Sequence, residues 1–370
     1  MIPKSEIDEI LSKYDKNNIT IATICAHSAA QIFQGARKEG LKTIGLCTPD
    51  QKIIYDSFPL ATPDEYIMVK EWTDVLSKEN QRRLVEKSAI VIPHGSFVAY
   101  LDNENLQNNY RVPMLGNRQS LEWEGDRKKQ REWLEKAGLK LPKEYKTQAE
   151  AGEKVFVKFP HAKGGSNYFT AESDKEIEDG LAELVRAGKI SQEDADNRTL
   201  QQFVEGDRFY PHYFYSLTED DRQVDYGLKE GRVELMGMDI RIEPIDESYR
   251  GLPNVSRKFF DYTVTGNEER IVREKLLADI FRMGISTVNK SKELFPPGMT
   301  GPFCIETVYH PETGFVAFEV SARIVAGTNL STRGTPYEAL TFEERTSSGR
   351  RISMEIKNAI EQNKLEKIAY

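Results

Sequence analysis

The chain has 370 residues, of which 39% are hydrophobic and 30% charged, a balance typical of a folded protein with two or three packed domains. No segment approaches the ~18 consecutive apolar residues of a membrane helix, and the N-terminal stretch MIPKSEIDEILSKY is too charged for a secretory signal, so we expect a cytoplasmic protein with no membrane partner. The net charge of −8 argues against a nucleic-acid partner, although a basic pocket in an acidic protein would still attract phosphates.

The first 120 residues alternate strand and helix patterns. Residues 18–25 (NITIATIC) predict a buried strand, residues 27–40 a helix that ends at a glycine, and residues 42–48 the next strand. This alternation predicts a parallel α/β domain. No G-x-G-x-x-G motif follows the first strand, so a dinucleotide-binding interpretation lacks its main support.

Polar residues follow two strands of this predicted sheet. His27 and Ser28 come after the first strand, and His94, Gly95 and Ser96 come after the strand SAIVIP. Ligands of parallel sheets bind at the carboxyl ends of the strands, where helix N-termini offer N–H groups to anions. The two groups are therefore either helix caps and turns or two sides of one pocket for a phosphorylated small molecule.

The segment DRKKQREWLEKAGLKLP predicts a charged helix from Asp126 to Ala137 that is closed by Gly138 and stops before Pro142. It resembles the helix D-K-x-x-x-x-x-x-L-x-x-A-G-x-x-x-P that joins the first domain of many ATP-grasp enzymes to their ATP-binding part. Arg127 stands where lysine is usual in those enzymes.

The next segment, KVFVKFPHAKGGSNYFTAES, combines a lysine at the end of a strand with a glycine loop. It predicts a strand that ends at Lys158, a loop that contains Lys163, Gly164 and Gly165, and a returning strand. Ammonium groups neutralise phosphate charge, and glycines let backbone N–H groups approach it. The alternative is a hairpin with solvated lysines. ATP-grasp enzymes have this arrangement, which implies that the lysines and the loop bind ATP.

The same resemblance implies an adenine hinge at residues 201–206. In ATP-grasp enzymes the backbone of this segment meets the adenine, and the expected contacts here are Gln202, Phe203 and Val204. Many relatives carry glutamates where this chain has glutamines. Recognition through the backbone would survive that difference.

The most specific pattern is GPFCIETVYHPETGFVAFEVSAR, in which PETG is a turn signal between two apolar-rich strands. If His310 and Phe315 are partners across the turn, Glu306 lies opposite Glu319 with both side chains on one face. Facing carboxylates repel each other unless a cation lies between them, and oxygen ligands suit Mg²⁺, with Mn²⁺ as its substitute. The alternative is an exposed β-ribbon with two scattered glutamates.

The residues that follow extend this pattern. Glu319 through Arg323 resemble the E-x-N-x-R signature at the end of the ATP-grasp site, with Ser321 in place of the usual asparagine. A fixed guanidinium at Arg323 would stabilise charge on a transferring phosphoryl group, a catalytic role that it would share with Lys158.

Along its whole length the chain resembles the archaeal 5-formaminoimidazole-4-carboxamide ribonucleotide synthetases of purine biosynthesis, which are ATP-grasp enzymes. The matching stretches are His27-Ser28, IVIPHGSF, Gly116-Asn117-Arg118, Lys163-Gly164-Gly165, HYFYS, YTVTGN ending in Asn267, GPFCIET and FEVSARIVAGTN. The resemblance implies an α/β architecture, an ATP-grasp fold preceded by a Rossmann-like domain. We expect that domain at residues 1–120, a middle subdomain with the glycine loop at 121–205, and a C-terminal subdomain with the metal site at 206–370.

The implied activity is ATP-driven formylation of the amine of 5-aminoimidazole-4-carboxamide ribonucleotide with free formate, in the synthesis of IMP. By analogy Glu306 and Glu319 bind the metal and Glu234 touches ATP, while the ribonucleotide meets His27, Ser28, Ser96, Asn267 and Asn329. Another carboxylate–amine ligase, a phosphotransferase and a nucleotide-binding regulator without turnover remain alternatives. Assembly into a homo-oligomer also stays open.

Overall fold

The structure is a computed structural model that describes residues 1–160, 167–220, 222–244 and 263–370. The strands are β1 Thr20–Ile24, β2 Lys42–Cys47, β3 Glu65–Met68, β4 Ala89–Val91, β5 Glu144–Tyr145, β6 Val155–Lys158, β7 Phe169–Ala171, β8 Thr199–Gln202, β9 Asp207–Ser216, β10 Arg232–Ile242, β11 Gly266–Glu269, β12 Gly301–His310 and β13 Gly314–Ser321. The α-helices are α1 Lys4–Ser12, α2 Ala29–Lys38, α3 Pro49–Asp56, α4 Lys78–Glu86, α5 Gly95–Tyr100, α6 Asn103–Asn108, α7 Arg118–Gly125, α8 Arg127–Lys136, α9 Gln148–Ala151, α10 Asp174–Arg186, α11 Gln192–Asp196, α12 Leu277–Leu294, α13 Ser348–Glu361 and α14 Leu365–Ile368. None of the helices in these ranges is both long and apolar enough to span a membrane.

The N-terminal sheet is parallel, with strand order β3-β2-β1-β4. Its central strand β1 is buried at every position, as its unbroken apolar pattern predicts. Helix α2 ends before Gly40, whose φ of 73° is the left-handed conformation that favours glycine at a helix C-terminus. The predicted parallel α/β unit is confirmed.

A second, four-stranded sheet has the order β5-β8-β6-β7 and is antiparallel. Strand β6 ends at Lys158 and β7 returns beside it, as the sequence predicts. The predicted charged helix is α8. The side chain of Asp126 caps it by accepting the N–H groups of Lys128 and Lys129, and Gly138 follows its end with a φ of 78°. Lys163, Gly164 and Gly165 lie outside the described residues.

The third sheet is antiparallel and has the order β11-β10-β9-β12-β13. One face packs on α8 and α12 around Trp133, Tyr213 and Phe303. The other face contributes Phe214 and Met236 to a core that it shares with the N-terminal sheet and the C-terminal helices. The sheet therefore lies between two hydrophobic layers, and its second face is turned towards the polar strand ends of the N-terminal domain.

Helix α13 packs along α2, although more than 300 residues separate the two helices in sequence. The close approach of the two helices requires glycine, since a Cβ on Gly35 would lie 2.3 Å from the backbone nitrogen of Arg350. The last helices thus belong to a core with the N-terminal sheet. The proposed boundaries at residues 120 and 205 stay predictions.

The hairpin of β12 and β13 differs from its predicted register. His310 pairs with Gly314, so the expected partnership of His310 with Phe315 is wrong. The register shifts by one between Glu306 and Thr307, because Phe318 is an extra residue on β13. Beyond this β-bulge Glu306 does lie opposite Glu319, as predicted.

Candidate active site

The two glutamates of the hairpin face each other, and a guanidinium contacts each of them. Glu306 Oε1 accepts a hydrogen bond from Arg241 Nη2 at 2.8 Å, and Glu319 Oε2 accepts one from Arg127 Nη1 at 2.9 Å. Burial raises the pKa of Glu306 to about 7, against the charge of Arg241 and with help from the nearby Glu319. Burial also opposes ionisation of Glu319, but Arg127 outweighs it and lowers that pKa. The pair is held at unequal pKa values, a pattern typical of a working site.

These residues fit a divalent cation with oxygen ligands. Within the described ranges no group of three or more His, Cys, Asp or Glu side chains could hold a metal on its own. A cation bound to Glu306 and Glu319 would therefore take two protein carboxylates and complete its shell from water and phosphate. Mg²⁺ prefers that combination.

Lys158 and Arg127 line a cavity between the middle sheet, β5-β8-β6-β7, and the hairpin of β12 and β13, together with Gln201 and Phe318. Burial and the repulsion of Arg127 lower the pKa of Lys158 to about 8, although the carboxylates of Glu319, Glu306 and Glu144 act in the opposite direction. The ammonium lies 5.3 Å from the ring centroid of Phe318. Lys158 is thus a half-buried cation on the wall of the cavity, well suited to a phosphate.

The cavity has a volume of about 60 Å³, whereas ligand pockets commonly measure roughly 300–1,000 Å³. The cavity between the described residues is therefore smaller than a nucleotide. The predicted hinge lies at the rim of this space. Gln202 ends β8 and donates its N–H to the carbonyl of Lys143, Phe203 stacks on Phe156 with ring centroids 6.3 Å apart, and Val204 is half-buried.

Arg323 follows β13 and is paired with a carboxylate that the sequence interpretation missed. Its Nη2 lies 2.9 Å from Glu124 Oε1, and Glu124 Oε2 accepts the N–H of Ala322. Burial raises the pKa of Glu124, and Arg323 opposes that shift. The contact fixes the guanidinium at the end of the hairpin.

The strand-end residues of the N-terminal sheet meet because β1 and β4 are neighbours. The rings of His27 and His94 stack with centroids 5.3 Å apart. Nε2–H of His94 donates to the Ile24 carbonyl at 2.9 Å, while its Nδ1 accepts the Ser96 N–H at 3.2 Å, so the imidazole is neutral. Burial lowers the pKa of His94 to about 4. His94 is thus a helix cap, as one of the two interpretations holds.

His27 and Ser28 do not behave as simple caps. Ser28 stands at the start of α2, but its hydroxyl lies 2.7 Å from His27 Nδ1 and caps no N–H. His27 has a φ of 53° and an exposed side chain. Desolvation by the surrounding protein, followed by the effects of His94, Arg323 and Arg241, holds the pKa of His27 below the usual range. Asn329 closes the same corner by donating to the His27 carbonyl at 3.0 Å.

Asn267 on β11 leads to a cluster that the sequence interpretation did not identify. Its amide donates to Asp239 Oδ2 at 2.6 Å, and Asp239 also accepts from His212 Nε2 at 2.7 Å and from Arg241. Burial opposes the charge of Asp239, but His212 and Arg241 outweigh it and lower the pKa. The available signal was the alternation of Asp239 and Arg241 in the second half of β10, which puts both on one face.

Glu234 does not join this constellation. It is buried near the opposite end of β10 from Asp239, where Arg351 Nε donates to its Oε2 at 2.7 Å and Arg232 Nη2 to its Oε1 at 2.6 Å. Arg351 also lies 3.0 Å from Glu355. The structure therefore gives Glu234 a place in a buried charge network under α13, away from the cleft in which ATP was expected.

Two family models match the chain. A domain of unknown function, DUF1297, matches residues 176–369, and a protein of unknown function, DUF1246, matches residues 21–145. Neither description names an activity.

Solved structures confirm the ATP-grasp fold. The IMP biosynthesis protein PurP from Thermococcus kodakaraensis superimposes with a TM-score of 0.71 and 29% identity, over 95% of this chain and 100% of that one. An N5-carboxyaminoimidazole ribonucleotide synthetase in its ADP complex gives a TM-score of 0.62 at 14% identity, over 92% of this chain and 77% of that one. The second likeness concerns the fold alone.

A curated relative from Korarchaeum cryptofilum (strain OPF8) is 48% identical over 370 residues, which are 100% of both chains. It is a 5-formaminoimidazole-4-carboxamide-1-(beta)-D-ribofuranosyl 5'-monophosphate synthetase. At such identity over the full length, this chain belongs to the family of the 5-formaminoimidazole-4-carboxamide ribonucleotide synthetases.

Proposed function

We propose that this protein is a carbon–nitrogen ligase that uses ATP and formate to formylate the amine of 5-aminoimidazole-4-carboxamide ribonucleotide, as the family to which it belongs implies. The observation that carries the proposal is the facing of Glu306 and Glu319. Arg127 contacts Glu319 of this pair, and Arg323 is close enough to influence the pKa of both Glu306 and His27, which lies at a strand end of the N-terminal sheet. The cleft thus has one half for a nucleotide and one for a second substrate.

In the first step a formate oxygen attacks the γ-phosphorus of ATP, the bond from that phosphorus to the ADP oxygen breaks, and formyl phosphate forms. In the second step the amine nitrogen attacks the formyl carbon, the carbon–oxygen bond to phosphate breaks, and the amine loses a proton. Formate is a poor electrophile, so phosphorylation has to precede amide formation. Catalysis depends on positioning and charge neutralisation in a closed site.

Lys158 binds ATP phosphates with the Lys163, Gly164 and Gly165 loop, and Gln202, Phe203 and Val204 border the adenine. Arg323 stabilises the charge of the transferring group. The Glu306 and Glu319 pair holds Mg²⁺ or Mn²⁺, which when bound supplies charge neutralisation at the phosphates. What supports these roles is the position of Lys158 on the wall of the cavity and the facing of the two carboxylates across the hairpin.

His27, Ser28, Ser96, Asn267 and Asn329 bind the ribonucleotide in this scheme. The stacked His27 and His94 rings and the buried Ser96 lie at the start of α5 and α2, where N–H groups favour an anion such as the ribonucleotide phosphate. A cytoplasmic location accords with the need for ATP.

The deciding experiment measures phosphate release from ATP with formate and the ribonucleotide supplied singly and together. The ligase releases phosphate only when both are present and yields the formamido product. Nucleotide binding without release under any combination would instead identify a regulator, and phosphate attached covalently to the acceptor would identify a phosphotransferase. Release with a different small acid or amine would identify another ligase of the same fold.

A further inference from the structure

Arg241 has a guanidinium with two different carboxylate partners. Its Nη1 contacts both oxygens of Asp239, while its Nη2 donates to Glu306 at 2.8 Å. The side chain is 10% exposed, and the ring of Tyr210 lies 4.8 Å from its Cζ. A buried arginine that is fixed by one arm and by an aromatic face has little conformational freedom to lose when the other arm binds an anion.

Asp239 is a saturated anchor for this arginine. It is fully buried and accepts hydrogen bonds from His212 and Asn267 in addition to Arg241. The backbone also closes over it at Gly327, where a Cβ would lie 2.4 Å from the carboxylate. Arg241 Nη1 therefore remains bound to Asp239 whichever partner Nη2 takes.

The position of Arg241 lies between the two halves of the cleft. On one side it contacts Glu306 of the metal pair, and on the other it pairs across β10 and β11 with Asn267, a proposed ribonucleotide contact. The acid substrate has to lie between these halves, because its oxygen bonds to the phosphoryl group and its carbon then bonds to the amine. Lys158 and Arg127 are placed differently, since they line the nucleotide cavity, and Arg323 is paired with Glu124.

We propose that Arg241 is a catalytic residue that binds the carboxylate of the acid substrate and then the oxygens of the acyl phosphate, and that Asp239 is its positioning residue. The proposal rests on the proposed function, because that reaction defines the acid. Nη2 turns from Glu306 to the acid oxygen, while Nη1 keeps its contact with Asp239. The guanidinium thereby holds the nucleophilic oxygen towards the phosphoryl group and neutralises the oxygens of the acyl phosphate.

The test compares Arg241→Gln and Arg241→Lys with the control Arg270→Gln. Arg270 carries the same charge just beyond β11 but in an exposed pair with Glu268, with side chains 40% and 48% exposed. We expect Arg241→Gln to lower kcat/KM for formate at least about 100-fold, with most of the change in KM for formate. Affinity for Mg·ADP, measured by calorimetry, should change less than about threefold, and added guanidinium chloride should restore part of the rate.

Arg241→Lys keeps the charge and should show a smaller loss of the same kind, as should Asp239→Asn, which loosens the anchor. An unchanged KM for formate in Arg241→Gln would overturn the proposal. So would an equal loss of Mg·ADP affinity, because Arg241 would then serve only to neutralise Glu306.

Failure of the proposed function is distinguishable from failure of this inference. If the wild type releases no phosphate with formate, calorimetric titration with inorganic phosphate in the presence of Mg·ADP still probes the anion position. Weaker phosphate binding by Arg241→Gln than by the wild type and Arg270→Gln supports the inference. Equal affinity in all three proteins overturns it.

Discussion

Glu319→Gln tests the central pair of carboxylates with a change of a few atoms. Glutamine has the same shape and keeps an oxygen that can accept the hydrogen bond from Arg127 Nη1, now 2.9 Å from Glu319. It removes the charge that faces Glu306. The substitution therefore separates the role of the carboxylate in binding a cation from its role in the fold.

The two expected magnitudes differ widely. The side chains of Arg127 and Glu319 are 22% and 26% exposed, and a neutral acceptor remains, so we expect unfolding free energy to fall by about 1–2 kcal/mol, less than the ~3–5 kcal/mol for breaking a buried pair. Glu319 is one of two proposed protein ligands of a cation that would lower the barrier to phosphoryl transfer by several kcal/mol. Its substitution should therefore reduce turnover at least about 1,000-fold.

Phosphate release with formate and the ribonucleotide measures the turnover, and thermal unfolding measures the stability. Binding of Mn²⁺ in the presence of ADP, followed by electron paramagnetic resonance, reports on the site without turnover. Glu312→Gln is the matched control, because Glu312 is exposed at the turn of the same hairpin. Near-normal turnover and Mn²⁺ binding in Glu319→Gln would refute the reasoning.

Three further predictions use the other perturbed or buried groups. Lys158 has a pKa of about 8 and neutralises phosphate only when it is protonated, so kcat/KM for ATP should fall as the pH rises through about 8. Lys158→Arg should move that fall to higher pH. An unchanged pH profile in this variant would contradict the prediction. His94 has a pKa of about 4 in the folded protein, whereas an unfolded histidine has a pKa of about 6.5. The free energy of unfolding should therefore decrease by up to about 3 kcal/mol as the pH falls from the unfolded to the folded pKa. The stability of His94→Asn, measured by urea unfolding, should not show this dependence on pH. If the dependence is retained, another group causes it. Because Arg351 binds Glu234 in a buried charge network, Glu234→Gln should lower the free energy of unfolding by about 2–4 kcal/mol and leave KM for ATP within about twofold. A raised KM for ATP at unchanged stability would instead identify Glu234 as a nucleotide contact.

The hairpin illustrates how far local pattern reaches. The turn signal and the alternation of side chains predicted that Glu306 faces Glu319, and they do. The register that led there was wrong by one residue at the turn, and the bulge at Phe318 corrects it. A bulge inserts one residue without altering composition, so the alternation alone does not reveal it.

Contacts between distant segments were beyond the sequence. The packing of α13 on α2 requires glycines at residues 35 and 349, but nothing local marks two helices more than 300 residues apart as neighbours. The carboxylate partner of Arg323 was missed for the same reason. Arg323 follows β13, whereas its partner Glu124 lies on α7.

These pairings also explain how binding events in the cleft depend on one another. Glu306 and Glu319 each contact a guanidinium, so a cation that binds the carboxylates displaces Arg241 Nη2 and Arg127 Nη1 from them. Arg241 keeps Asp239 and Arg127 keeps the Tyr168 hydroxyl, but each displaced guanidinium nitrogen is left without its hydrogen-bond acceptor, which an anion can replace. In the proposed function, nucleotide phosphates and the acid carboxylate supply those anions. In the proposed reaction the site therefore favours joint binding of cation, nucleotide and acid over binding of any one alone, and this coupling would protect the acyl phosphate, which would form only in the filled site.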